Sequence, residues 1–366
     1  MKWLQWLGLP VGIAILIGLV VHNGAHDVLR VIGTAGPMLL WLVPFHALPL
    51  LLDAQAWRLL LDKRASLSFL LWTATVREAV NRLLPVVGVG GELVGIRLAR
   101  WKVRNASQVT ASVIVEVFVT IAVQYAFSAL GVVLIVAATG DGGSLRTIVT
   151  ISLALVLSAP LPMLAVFLVR RGGVFHAIER WAAKLLGADN PLMLGIDGKQ
   201  LDADLDALMS RTGLMFRAFF WQLGGYMLGA FETWWALSLL GHPVTVGDAL
   251  AIEAITQAVR HAAFMVPAGL GVQEVAVVLL AQLFGVSQDV AFSLALVKRM
   301  REVVFGVLAL LSWQAAEIVR TRRTLRHGAQ AALQPAAQSG DALPAAASVS
   351  ARAPTSKRDS QHDQVH

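Results

Sequence analysis

The chain has no cysteine, which excludes disulfides, thiolate metal sites and a thiol nucleophile. Charge is also scarce. Only 14% of the 366 residues are Asp, Glu, Lys or Arg, whereas a soluble domain carries about a quarter. Motifs that bind cofactors or run hydrolytic chemistry are missing: there is no P-loop, no HExxH helix and no nucleophile elbow. The segment "GLGVQE", residues 269–274, lacks the third glycine and the preceding strand of a dinucleotide fingerprint. His22 and His26 are four apart but have no third ligand in the pattern, so they read as loop residues. No cofactor, no metal and no enzymatic activity are expected.

What is present is hydrocarbon. Hydrophobic residues make up 57% of the chain, and apolar stretches at 3–21, 37–61, 107–138, 147–169, 213–240 and 290–319 reach or approach the length of a spanning helix, about 20 residues. The fold class that follows is all-α and polytopic, in a membrane. The first stretch follows Lys2, is long, and has no small-x-small site after it, so it is expected as a retained helix and not as a cleaved signal. The net charge of +7 lies in short clusters between apolar segments. Such clusters orient a chain and meet lipid headgroups, so no nucleic-acid partner is expected. Residues 328–366, rich in Ala, Pro, Ser and Gln, are expected as a disordered tail after a membrane domain at 1–327.

Basic clusters at Lys63 and Arg64, at Arg100, Lys102 and Arg104, at Arg170 and Arg171, and at Arg320, Arg322, Arg323 and Arg326 mark the cytoplasmic side. The loops 22–36, 139–146 and 241–248 hold only Arg30 and Arg146. This asymmetry puts the C-terminus in the cytoplasm and makes residues 66–99 enter and return on one side. The same bookkeeping makes 249–286 dip in from the opposite face. Six spans with two oppositely oriented re-entrant hairpins result, the alternative being that each hairpin is a pair of thin full passes. Pro85 precedes Glu92 by seven residues and Pro267 precedes Glu274 by seven. Together with span, hairpin and span in each half, that spacing predicts an inverted-topology repeat, as in many secondary transporters.

The break "LLPVVGVGGELVGIRLAR", residues 83–100, sets a proline, four glycines and Glu92 inside apolar sequence. Glycines there let backbone N–H groups approach a headgroup, as helix N-termini do. Gly90 and Gly91, with Gly269 and Gly271 in the second hairpin, are therefore candidate binding positions beside Arg82 and Arg260. Glu92 and Glu274 start the helices after the breaks and are candidates for responding to protonation. Glu78, Glu232 and Glu253 are candidates for orienting the arginines. Further intramembrane charges are Arg77, Glu116, Lys298, Arg299, Arg301 and Glu302. Charges in hydrocarbon are costly and point to function by default, although paired charges also fix helix packing. The stretch "FHAIERWAAKLL" from Phe175 reads as an amphipathic surface helix.

The segments "FETWWALSLLGHPVTVGDALAIEAITQAVRHAAF", "VPAGLGVQEVAVVLLAQLFGVSQDVAFSLALVKRMREVVFGVLALLSWQ" and "LPVVGVGGELVGIRLAR" resemble the flippase-like membrane domain of lysylphosphatidylglycerol synthases. Within that superfamily the likeness is greatest to the branch associated with hopanoid biosynthesis. The resemblance implies a bacterial inner-membrane protein that moves a lipid between leaflets, with hopanoid-synthesis proteins as possible partners. The synthases' aminoacyl-transfer domain has no counterpart in the tail, so lysine transfer is not expected. The expected function is thus translocation of an anionic or hopanoid-related lipid. The alternatives are an embedded enzyme modifying a lipid headgroup or isoprenoid, and a non-catalytic partner of lipid-synthesis enzymes.

Overall fold

The computed structural model describes residues 36–84, 90–139, 160–171, 197–262 and 272–338, with Val149 and Gly173. The expected first span, the two breaks with Pro85, Pro267, Gly269 and Gly271, most of the expected fourth span and the amphipathic stretch from Phe175 lie outside them. Regular structure among the described residues is helical. A 3-10 turn at Pro37–Trp41 leads into α1 (Leu42–Phe45), α2 (Ala47–Leu60), α3 (Leu67–Leu83), α4 (Gly90–Ala99), α5 (Ala106–Thr139) and α6 (Pro160–Arg170). Then follow α7 (Gly198–Met209), α8 (Thr212–Leu239), α9 (Val246–Ala262), α10 (Val272–Leu283) and α11 (Gln288–Gln338). Residues 1–313 form one compact unit and 314–366 a second. Helix α11 extends to Gln338, into the stretch 328–366.

Local signals explain where several helices start. Ser66 caps α3 by accepting from Phe69 N, and Asp197 caps α7 by accepting from Lys199 N at 2.9 Å. Thr245 and Asp248 form a reciprocal capping box at α9, with Thr245 N donating to Asp248 at 3.0 Å and Asp248 N donating to Thr245 Oγ1 at 3.1 Å. The segment before α2 is broken because Pro44 and Pro49 have no N–H to give the carbonyls one turn back. His46 is the joint between α1 and α2.

Among the described residues, three helices have the length and composition to cross a membrane: Pro37–Leu60, Ala106–Ala138 and Gln288–Arg323. The expected spans at 37–61, 107–138 and 290–319 fall on these. The 28-residue α8 has the length but is diluted by polar residues, and it is not among the three. Its pattern is nonetheless inverted relative to a soluble helix. Gln222, Glu232 and Thr233 are buried, while Phe216, Phe220, Trp221 and Phe231 face outward. Large apolar groups outside and polar groups inside fit a helix whose surroundings are lipid.

Packing brings the polar faces together. Gly225 of α8 lies against the carbonyl of Pro49, where an added Cβ would stand 3.1 Å from that oxygen. The two helices run antiparallel, so Ala56 shares a core cluster with Ala218 at one end, and His46 reaches Glu232 at the other. Gly306 of α11 similarly faces Leu83 and Ala79 of α3, which carries Arg82 alongside Glu302. Gly225→Leu is therefore expected to lower the thermal unfolding temperature in detergent, by the equivalent of about 1–3 kcal/mol for overpacking. Gly229, with nothing within 4 Å of an added Cβ, is the control; Gly229→Leu should leave unfolding unchanged, and equal behaviour of the two variants would refute the close packing.

Candidate functional site

Glu302 of α11 sits at the centre of a buried ionic cluster, its side chain 1% exposed. Arg82 of α3 donates to its Oε1 at 2.8 Å, and Gln273 of α10 donates to the same oxygen at 3.1 Å. Arg299 donates to Oε2 at 3.0 Å, and Arg301 approaches Oε1 at 3.7 Å. Arg82 also donates to Gln273 Oε1 at 3.2 Å and lies 3.5 Å from Glu78, one turn back on its own helix. Arg299 donates to Glu274 at 2.9 Å. Buried pairs hold only when further hydrogen bonds satisfy each group, and here nearly every charge has two or more partners.

His46 joins the cluster from the joint between α1 and α2. Its Nε2 is 2.9 Å from Glu78, while its Nδ1 is 2.8 Å from Arg301 and 3.3 Å from Glu232. Arg301 is in turn paired with Glu232. Phe305 stacks edge-on against the imidazole, the ring centroids 5.2 Å apart. A narrow pocket here is lined by His46, Glu78, Arg82, Glu302 and Phe305, with Ala79 and Gly306.

Two further pairs flank the centre. Arg77 of α3 grips both oxygens of Glu116 on α5 at 3.0 and 2.9 Å, with its guanidinium over the Trp57 ring. Glu92 lies 3.6 Å from Arg77 and accepts from Asn81 at 3.3 Å. Lys298 of α11 pairs with Glu253 of α9, which also accepts from Thr233 and Gln257, each at 2.7 Å. Among the described residues, seven glutamates (78, 92, 116, 232, 253, 274 and 302) face five bases (Arg77, Arg82, Lys298, Arg299 and Arg301), and the carboxyl of Asp53 lies within electrostatic reach of Arg77. Carboxyl groups thus outnumber guanidinium and ammonium groups among these residues.

The structure gathers some of the expected residues and separates others. Arg82, Glu78, Glu232 and Glu274 meet in the central network. Glu232 and Glu253, expected to orient Arg82 and Arg260, instead pair with Arg301 and Lys298, because the inward face of α11 supplies the nearest cations. Arg260 has no ion-pair partner among the described residues, although His261 beside it lies within electrostatic reach of Arg82. Gly90 opens α4. Gly91, expected to admit a headgroup, admits a helix: its N–H donates to Asn81 Oδ1 at 2.8 Å, and an added Cβ would lie 2.5 Å from the Arg77 carbonyl. Gly269 and Gly271 lie outside the described residues. Sequence reasoning missed His46 and Gln273. The signal for His46 was a lone polar residue between Pro44 and Pro49 in an apolar run.

Removing the shared carboxylate should be far costlier than removing a surface pair. Glu302→Ala takes a shared carboxylate from three buried guanidiniums and is expected to cost about 3–5 kcal/mol, read as a large drop in the detergent unfolding temperature. Arg211→Ala breaks only the exposed pair with Asp62 and should cost at most about 1 kcal/mol. Comparable unfolding temperatures for the two variants would show that Glu302 does not organise the cluster.

Residues 5–309 match the family described as the lysylphosphatidylglycerol synthase TM region. No curated protein and no solved structure matches the chain. The match covers every residue of the ionic cluster, and with the apolar helices it identifies a membrane protein related to lipid-modifying or flippase-like proteins. The chain belongs to the lysylphosphatidylglycerol synthase TM region family.

Proposed function

We infer that the protein is a lipid translocase of the bacterial inner membrane, moving an anionic or hopanoid-related lipid between leaflets without altering it chemically. The observation that carries this reading is the buried ionic cluster, most of whose members hold more than one partner and which is supplied by helices from both halves of the chain. Glu302 can release Arg82 and remain answered by Arg299 and Arg301. Released from Glu302, Arg82 can take a headgroup phosphate, together with Arg260, which lacks an ion-pair partner among the described residues. Arg301 Nε and Glu274 Oε2 are buried hydrogen-bonding atoms with no partner among the described residues, a further capacity for a polar ligand.

The transport architecture in this reading is six spans and two opposed re-entrant hairpins, with the C-terminus in the cytoplasm. Helix lengths favour it: α4 has 10 residues and α10 has 12, or about 15 and 18 Å of rise, against a hydrocarbon core of about 30 Å. The hopanoid link rests on the resemblance of the hairpin sequences alone.

Two measurements test the proposal. In liposomes with the purified protein, a fluorescent phosphatidylglycerol in the inner leaflet should become accessible to an external quencher. Arg260→Gln and Arg82→Gln should each slow that exposure about tenfold or more, as expected for a lost charge-assisted hydrogen bond. Recovery of a chemically changed lipid would instead identify an enzyme, and unchanged sidedness would remove the translocase reading. For the topology, Lys102→Cys and Pro243→Cys, both at exposed positions, should react with an impermeant maleimide from opposite faces in a chain otherwise free of cysteine. Labelling from one face would refute the arrangement.

A further inference from the structure

We propose that His46 is the proton-carrying group of the site, and that its protonation is linked through Arg301 and Glu302 to the freedom of Arg82. This deepens the translocase reading and rests on it for its transport consequence, but the proton site itself stands on geometry. His46 is buried at the break in its span, held by groups from every element packed on its ring. These are Glu78 and Arg82 from α3, Glu232 from α8, and Arg301 and Glu302 from α11.

The contacts assign the tautomer. A guanidinium can only donate, so the Nδ1 that lies 2.8 Å from Arg301 Nη1 is an acceptor and carries no proton. The neutral ring therefore holds its hydrogen on Nε2 and donates it to Glu78 at 2.9 Å. A second proton must go to Nδ1, which sets an N–H against an Arg301 N–H, donor facing donor. Glu232, already 3.3 Å from that nitrogen, is the acceptor in place for the new N–H.

Partner exchange follows from those positions. Once Nδ1 turns to Glu232, Arg301 loses its contact with the ring and shifts its weight to Glu302, whose Oε1 is 3.7 Å away. Glu302 Oε1 is the oxygen that holds Arg82 at 2.8 Å. Arg301 and Arg82 thus compete for one carboxylate oxygen, and a proton on His46 biases the contest toward release of Arg82. The excess of carboxyl groups in the cluster points the same way, since a site with more carboxyl groups than cations admits an anionic headgroup most readily when a proton enters with it. Protonation and headgroup capture are then favourably coupled, the relation a proton-linked carrier needs.

His46→Gln is the test, because an amide can still donate and accept but cannot titrate. The full-length protein in detergent is melted from pH 5 to 8, and the same series is run for lipid exposure in liposomes. Wild type should show a pH-dependent step in unfolding temperature and in translocation, and His46→Gln should lose the step in both while melting normally at pH 8. Should His46→Gln fail to fold, Glu78→Gln keeps an acceptor for Nε2 but removes its charge, and should displace the wild-type profile along the pH axis. A wild-type unfolding profile retained by His46→Gln, or by Glu78→Gln where it serves as the substitute, overturns the proposal. A His46-dependent unfolding profile in a protein that moves no lipid would leave the proton site standing and refute only the translocase reading.

Discussion

Glu302 accepts hydrogen bonds from two arginines and pairs with a third inside the helix packing, and most of the site geometry follows from that requirement. A carboxylate removed from water must be answered by positive charge and by hydrogen bonds, and Arg82, Arg299, Arg301 and Gln273 provide both. Each of those groups belongs to a second contact as well: Arg82 to Glu78, Arg299 to Glu274, Arg301 to His46 and Glu232. Helices α2, α3, α8, α10 and α11 are thereby tied to one centre. Such a network is stiff against losing a member, yet it can exchange partners, because alternative oxygens lie within an ångström of hydrogen-bonding distance.

The arrangement depends on lipid as the outer solvent. Helices α8 and α11 turn glutamates, lysine and arginines inward and leave phenylalanine, valine and leucine outside, the reverse of a soluble bundle. No hydrophobic drive pulls apolar faces together in hydrocarbon, so close backbone approach and polar contacts hold the helices. Gly225 against Pro49, and Gly306 against Leu83, supply the approach, and the ionic cluster supplies the rest.

The two halves use similar positions with different chemistry. Helix α3 is tied to α5 by the buried pair of Arg77 with Glu116, and α9 to α11 by that of Glu253 with Lys298, with the signs reversed. The glutamates at the starts of α4 and α10 also differ in partner. Glu92 is held by Arg77 and Asn81 of α3, whereas Glu274 reaches α11 through Arg299. Helices α3 and α10 both reach Glu302, through Arg82 and Gln273, and Glu274 ties α10 to α11 a second time. This asymmetry concentrates the exchangeable contacts on α11.

The sequence by itself determined the class and much of the frame. Long apolar runs permit only helices in a membrane, since every backbone polar group must be satisfied within the element, and the helices α2, α5, α8 and α11 fall where those runs lie. Caps at Ser66, Asp197 and Thr245 are local, made between residues two or three apart. Charged residues in the spans were legible as costly, and so as a site. Their partners were not. Glu232 meets Arg301 across 69 positions and Arg82 meets Glu302 across 220, and no helical period encodes which cation will face which carboxylate. That choice is made by which helix faces pack, through glycines whose consequence lies on another helix. His46 shows the same limit: its prolines announce a break in the chain, but only the packed helices decide that two carboxylates and a guanidinium surround its ring.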